Sequence, residues 1–143
     1  MTARIPKAVL AHFQAIPLFS GVSHKGLRAI AAAADEIDEP AGKVLVREGE
    51  VRRELFVITA GTASVTRKGK PLASLGTGDF FGEIALLSGG PRTATVTASS
   101  DVSLMILAPS RFLAVLDAEP KVMEAVVRAL GERLRRTEKS PVD

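Results

Sequence analysis

The chain has 143 residues, enough for one domain with a proper apolar core, and a formal charge of +3. It has no cysteine, which excludes disulfide scaffolds, thiolate metal sites and cysteine nucleophiles. Its apolar runs are only a few residues long, far short of the roughly 20 needed to cross a bilayer, and the N-terminus lacks the apolar core of a signal peptide, so a cytoplasmic location is expected.

The N-terminal third reads as helical. From about Pro6 to Gln14, Val9, Leu10 and Phe13 recur at helical spacing. Ser23 suits an N-cap for a second helix running to Ala34, with Leu27, Ile30 and Ala31 on one face. Acidic residues cluster at Asp35–Glu39, and Pro40 and Gly42 close this first block. From Lys43 to Ala108 the pattern changes to short strands divided by glycine: Val44–Val46, Leu55–Ile58, Thr62–Thr66, Leu72–Leu75, Thr93–Ala98 and Val102–Leu107. Many short Val- and Thr-rich strands with glycine turns predict a sandwich or jelly roll. Asp79 begins the strand into the next segment and shapes that bend. After Ala108 the helical period returns. Pro109-Ser110 opens a helix to about Leu116, and Pro120 stands at the first turn of another that runs to about Thr137. Val122, Val126, Ala129, Leu130, Arg133 and Leu134 lie along one side of it.

Between the fourth and fifth predicted strands lies the most informative stretch, Phe81–Val96. Gly82 lets a ligand approach the backbone. Glu83–Leu87 predicts one short helix whose N-terminus offers free N–H groups to an anion. Gly89-Gly90-Pro91 turns the chain back to Arg92, a planar fork able to take two phosphate oxygens. A carboxylate beside a phosphate repels it unless it accepts a hydrogen bond, and a ribose hydroxyl is the evident donor for Glu83. One acid for a sugar hydroxyl and one arginine for a phosphate describe a cyclic nucleotide pocket.

With Gly82-Glu83, Ala85-Leu86 and Pro91-Arg92-Thr93-Ala94 in this spacing, the segment resembles the phosphate-binding cassette of the cyclic nucleotide-binding domains. These occur in catabolite-activator-type regulators, cyclic AMP-dependent kinase regulatory subunits and cyclic nucleotide-gated channels. The resemblance extends from Pro17-Leu18-Phe19 through Ala41-Gly42, Glu48-Gly49 and Gly61 to the C-terminal helices. It implies an α+β fold: a β jelly roll (double-stranded β-helix) with N-terminal helices and two C-terminal helices. Residues 1–143 would form a single domain, with N-terminal helices over 1–40, the jelly roll with its cassette (81–96) over 41–108, and hinge and lid helices over 109–137.

The resemblance also assigns residues. Arg92 would hold equatorial phosphate oxygens, joined by Thr93 and the backbone N–H groups of Ile84 and Ala85. Glu83 would take the ribose 2′-hydroxyl beside Gly82. Val65, Ala73 and Leu75 would face the base, and Arg133 would lie over it from the last helix. Each has a plainer reading. Thr93 suits a strand position, Glu83 a favourable charge in a helix's first turn, and Val65, Ala73 and Leu75 serve equally as core. Arg133 could be solvated like Arg135 and Arg136.

The implied function is non-catalytic binding of a 3′,5′-cyclic nucleotide, cAMP favoured over cGMP, coupled to movement of the C-terminal helix. No cofactor is expected. A nucleotide-independent dimerisation or interaction domain of the same fold is the alternative. His12 and His24 both precede the jelly roll and supply no metal cluster, and Ser20, Ser23 and Ser110 lack any context for nucleophile activation, so no enzyme is expected. The basic C-terminal end, Arg128 to Lys139, reads as a solvated helix terminus. Only Glu138–Asp143 follows the last helix turns, too little for a helix-turn-helix, so no nucleic acid binding is expected of this chain alone. The regulated partner would be a protein effector in trans or a domain outside this chain.

Overall fold

The computed structural model describes residue 19, residues 21–82 and residues 88–139, the side chains of 129, 133, 134 and 136–139 excepted. The predicted first helix, at Pro6–Gln14, lies outside the described residues. Two compact units emerge, Ala33–Phe112 and a second built from Met1–Ala32 with Leu113–Asp143.

Among the described residues the first unit holds eight strands: β1 (Ala34–Glu39), β2 (Val44–Val46), β3 (Leu55–Ala60), β4 (Ala63–Arg67), β5 (Lys70–Leu75), β6 (Phe80–Phe81), β7 (Thr95–Ala98) and β8 (Val102–Leu107). They form two antiparallel four-stranded sheets, one ordered β1-β8-β3-β6 and the other β2-β7-β4-β5. The chain changes sheet at almost every connection, which gives the expected jelly roll. Period-2 alternation sends one side of each strand into a shared core. Phe56, Ile58, Phe81 and Leu104 meet Val46, Ala63, Val96 and Ala98 there, with Ile37, Val65, Leu75 and Ile106 packed around them. Gly61 turns β3 into β4 with φ +92°, and a Cβ there would strike the carbonyl oxygen of Asp101.

One boundary needs correction. Helices were expected over residues 1–40, but residues 34–39 form β1, paired with β8 through a six-residue ladder from Ala34↔Leu107 to Glu39↔Val102. Ala-Asp-Glu-Ile-Asp-Glu has low intrinsic strand preference. Pairing with β8 and the inward turn of Ile37 decide its conformation, and its carboxylates blunt what is an edge strand. Asp38 Oδ1 accepts from the Ser103 hydroxyl at 2.7 Å, which anchors that edge. β7 begins at Thr95, two residues later than expected, and β5 begins two residues earlier, at Lys70. Pro71 is tolerated in β5 because that strand is the free edge of its sheet.

Three helices are described: α1 (His24–Ala33), α2 (Pro109–Ala118) and α3 (Pro120–Lys139). Ser23 caps α1 as expected, its hydroxyl accepting from Gly26 N–H at 3.1 Å. Pro109 and Pro120 occupy first helical positions, where a missing N–H costs nothing. In α3, Val122, Ala125 and Val126 are buried. No described helix is long and apolar enough to cross a membrane.

Candidate functional site

Arg92 is the centre of the site. It is the single charged or polar residue buried among those described, at 4 % exposure. Its backbone is pinned to the turn between β2 and β3: Arg92 N–H donates to the Glu50 carbonyl, and Gly49 N–H donates to the Arg92 carbonyl, both at 2.8 Å. That turn is itself held by the Glu50 carboxylate, which accepts from Arg47 N–H at 2.7 Å. Thr95 ties in the next residues, its hydroxyl accepting from Glu48 N–H at 3.0 Å.

The guanidinium of Arg92 enters a polar niche on the first sheet. Nη2 donates to the Glu54 carbonyl at 3.0 Å, and Nη1 lies 3.5 Å from the Gly82 carbonyl. The Glu54 carboxylate stands 3.6 Å from Nη2. On one side the guanidinium lies 5.7 Å from the centroid of Phe56, which stacks on Phe81 at 4.9 Å with nearly parallel rings. Burying a cation is costly unless it is paired; two carbonyls, a carboxylate and an aromatic face offset that cost here. Gly82 completes the niche. Its φ is +95°, and a Cβ would lie 2.5 Å from Arg92 Nη1 and 2.6 Å from the Glu54 carbonyl oxygen. The glycine therefore makes room for the arginine, a role beyond the ligand approach expected of it.

Glu54 joins two cations. Its other carboxylate oxygen accepts from Arg52 Nη2 at 2.9 Å. Burial pushes the Glu54 carboxyl up, but the hydrogen bond from Arg52, a backbone hydrogen bond and the Arg52 and Arg92 charges outweigh it and hold the group below the usual carboxylate range. The Arg52 guanidinium is raised in turn, chiefly by its hydrogen bond to Glu54.

Gly82 and Arg92 meet, as described. Glu83, Ile84 and Ala85, and with them the predicted cassette helix, lie outside the described residues. Thr93 is exposed, and its carbonyl accepts from Arg67 Nε at 3.0 Å. Val65, Ala73 and Leu75 share one face of the second sheet, with Val65 opposite both Ala73 and Val96 and Leu75 opposite Ala63. Val65 and Leu75 pack on the core from its margin, whereas Ala73 is exposed. Arg133 is helical, within α3; its side chain is not among those described. Asp79 does shape a bend: its carboxylate accepts from Gly76 N–H at 2.8 Å, and its carbonyl accepts from Ile58 N–H.

Sequence reasoning missed Glu54 and Phe56 as partners of Arg92, and Phe81 as the ring that stacks on Phe56. They lie 38, 36 and 11 positions from Arg92, and no local pattern links them. Among the described residues no group of three or more His, Cys, Asp or Glu could hold a metal ion. The arrangement offers a preformed cation next to a glycine, which suits recognition of an anion.

Comparison with known proteins gives a consistent picture. The family model for the cyclic nucleotide-binding domain matches residues 38–119. A cyclic nucleotide-gated potassium channel of Rhizobium etli is 39 % identical over 119 residues, which are 83 % of this chain and 33 % of the channel. A CRP-like cAMP-activated global transcriptional regulator of Mycobacterium tuberculosis is 28 % identical over 131 residues, covering 88 % of this chain and 58 % of the regulator. The crystal structure of the Thermus thermophilus catabolite activator protein superposes with a TM-score of 0.79 at 29 % identity, over 85 % of this chain and 60 % of that one. The chain thus spans about a third of the length of the channel and somewhat over half of the regulator.

Proposed function

Because this chain belongs to the cyclic nucleotide-binding domain family, we propose that it binds a 3′,5′-cyclic nucleotide, preferentially cAMP, without chemically changing it. The observation that carries this reading is the buried Arg92 guanidinium, held beside Gly82 by the carbonyls of Glu54 and Gly82. A fixed, dehydrated cation recognises a phosphate more strongly than a solvated one and needs no reorganisation when the ligand arrives.

In this reading Arg92, Thr93 and the N–H groups of Ile84 and Ala85 hold the phosphate, and Glu83 accepts from the ribose 2′-hydroxyl. The margin of the second sheet at Val65, Ala73 and Leu75 faces the base, which Arg133 covers from α3. Preference for cAMP is supported by the likeness to the mycobacterial regulator, which is cAMP-activated. Residues 1–143 then act as one sensor, with 109–137 as hinge and lid. The signal passes to an effector in trans or to a further part of a longer protein in the cytoplasm. Binding moves α3 only if the closed arrangement takes the ligand more tightly than the open one.

Calorimetry with cyclic AMP, cyclic GMP and cyclic pyrimidine nucleotides tests the reading. Saturable binding is expected, tightest for cAMP, with a melting temperature that rises with ligand concentration. No binding of any member, with no shift in melting temperature, refutes it. Glu83→Gln is expected to weaken cAMP but to leave a 2′-deoxy analogue nearly unchanged. Hydrogen exchange over residues 126–137 is expected to slow when ligand is added.

A further inference from the structure

Resting on the nucleotide-binding reading, we propose that Glu54 is a built-in counterion that competes with the ligand's phosphate for Arg92, and that Arg52 sets the strength of this competition. A single carboxylate bridges two guanidinium groups: Oε2 takes Arg52 Nη2 at 2.9 Å, and Oε1 stands 3.6 Å from Arg92 Nη2. The two contacts are unequal. The shorter is a hydrogen bond; the longer is an ion pair only.

Arg92 does not need that carboxylate for its position. Its guanidinium is fixed by the Glu54 and Gly82 carbonyls and lies against the Phe56 ring, and its backbone is pinned to Gly49 and Glu50. All of these survive loss of the Glu54 charge. What the carboxylate adds is a negative charge next to the cation that would receive the phosphate, and like charges sharing one cation oppose each other. Arg52 draws that charge away by hydrogen bonding. Without Arg52, the carboxylate is free to close the 3.6 Å gap and pair fully with Arg92. The Arg52 side chain is 46 % exposed and that of Glu54 27 %, so solvent and salt screen both effects to modest size.

The opposite view makes Glu54 a support for Arg92, and it predicts the opposite sign. Calorimetric titration of cAMP into the wild type, Glu54→Gln, Arg52→Gln and the double variant separates the two. Glu54→Gln is expected to bind about threefold to tenfold more tightly, and Arg52→Gln about twofold to fivefold more weakly. The double variant is expected to match Glu54→Gln, because Arg52 acts only through that charge. All differences are expected to shrink as salt rises. A Glu54→Gln protein that binds no more tightly than the wild type overturns the proposal, as does an Arg52→Gln effect that persists in the double variant. Thermal melts confirm that each variant is folded, and the exposed Arg52→Gln change gives a second, independent sign. If the wild type itself binds no cAMP, the nucleotide reading fails and takes this proposal with it; if it binds and only the signs are wrong, this proposal alone fails.

Discussion

The two sheets of the jelly roll follow the same alternation rule and yet differ in what surrounds them. In the first sheet, β3 buries Leu55, Phe56, Val57 and Ile58 in succession, and β8 buries Val102, Leu104, Met105 and Leu107, so these two central strands are buried on both faces while the edge strand β1 is not. In the second, only one face is closed, and β5 is exposed along nearly its whole length. The buried arginine sits against the first sheet, through Glu54, Phe56 and Gly82. The residues assigned to the base lie at the margin of the second. A charged contact gains most where water is excluded and the partners cannot move. A flat apolar base needs an accessible surface instead, and a sheet with one open edge supplies it.

The sharpest way to break this contrast is Phe56→Ala. Phe56 is 2 % exposed and stacks on Phe81, so truncation is expected to cost about 3–5 kcal/mol of stability, read from urea unfolding. Nucleotide should recover part of the loss by mass action. A cost below about 1 kcal/mol would mean that the first sheet is not the rigid platform described here.

Next in size is Arg92. Losing a charged hydrogen-bonding contact of about 1.5–3 kcal/mol should weaken cAMP binding about 10- to 150-fold in Arg92→Ala. Because this side chain is buried among protein acceptors, the alanine variant should also melt earlier. Arg92→Lys keeps the charge but loses the planar fork that reaches the Glu54 and Gly82 carbonyls together. Affinity for cAMP in the lysine variant should fall between the wild type and alanine. Unchanged affinity in both variants would remove Arg92 from the site.

A smaller effect concerns pH. The Glu54 carboxyl is held below its ordinary value when folded, so it contributes stability that is fully present above the unfolded value of about 4.3. That contribution is lost as pH falls through the lower folded value. The stability gap between wild type and Glu54→Gln, from denaturant titrations, should therefore be open at neutral pH and close in acid. A gap that widens on acidification would reverse the assigned direction.

The smallest effect is expected at the other sheet. Leu72 on β5 is 52 % exposed, and Leu72→Ser should change stability by no more than about 0.5 kcal/mol. A larger loss would show that the open face of the second sheet is covered in solution.

Much of this was readable from local pattern. Glycine-divided Val- and Thr-rich runs located six of the eight strands, because side chains in a half-buried strand must alternate. Ser23, Pro109 and Pro120 marked helix starts because cap chemistry is local. Phe80-Phe81 was expected only as the short strand that Asp79 begins, because two residues are too few to show a period of their own. Asp35–Glu39 misled for a different reason. Acidic composition speaks for solvent, and only the ladder to β8, more than 60 positions away, makes it a strand.

The sequence by itself therefore determined the jelly-roll pattern and the family, and singled out Arg92 as the residue proposed to bind the anion, since each rests on spacing within a few residues. Only the tertiary structure decided that Arg92 is buried, that Gly82 is glycine to make room for it, and that Glu54 stands between Arg92 and Arg52. Those facts depend on chain segments that meet across 10 to 40 positions of sequence. Such meetings are set by how two sheets close on a common core, and that is a property of the whole fold rather than of any window along it.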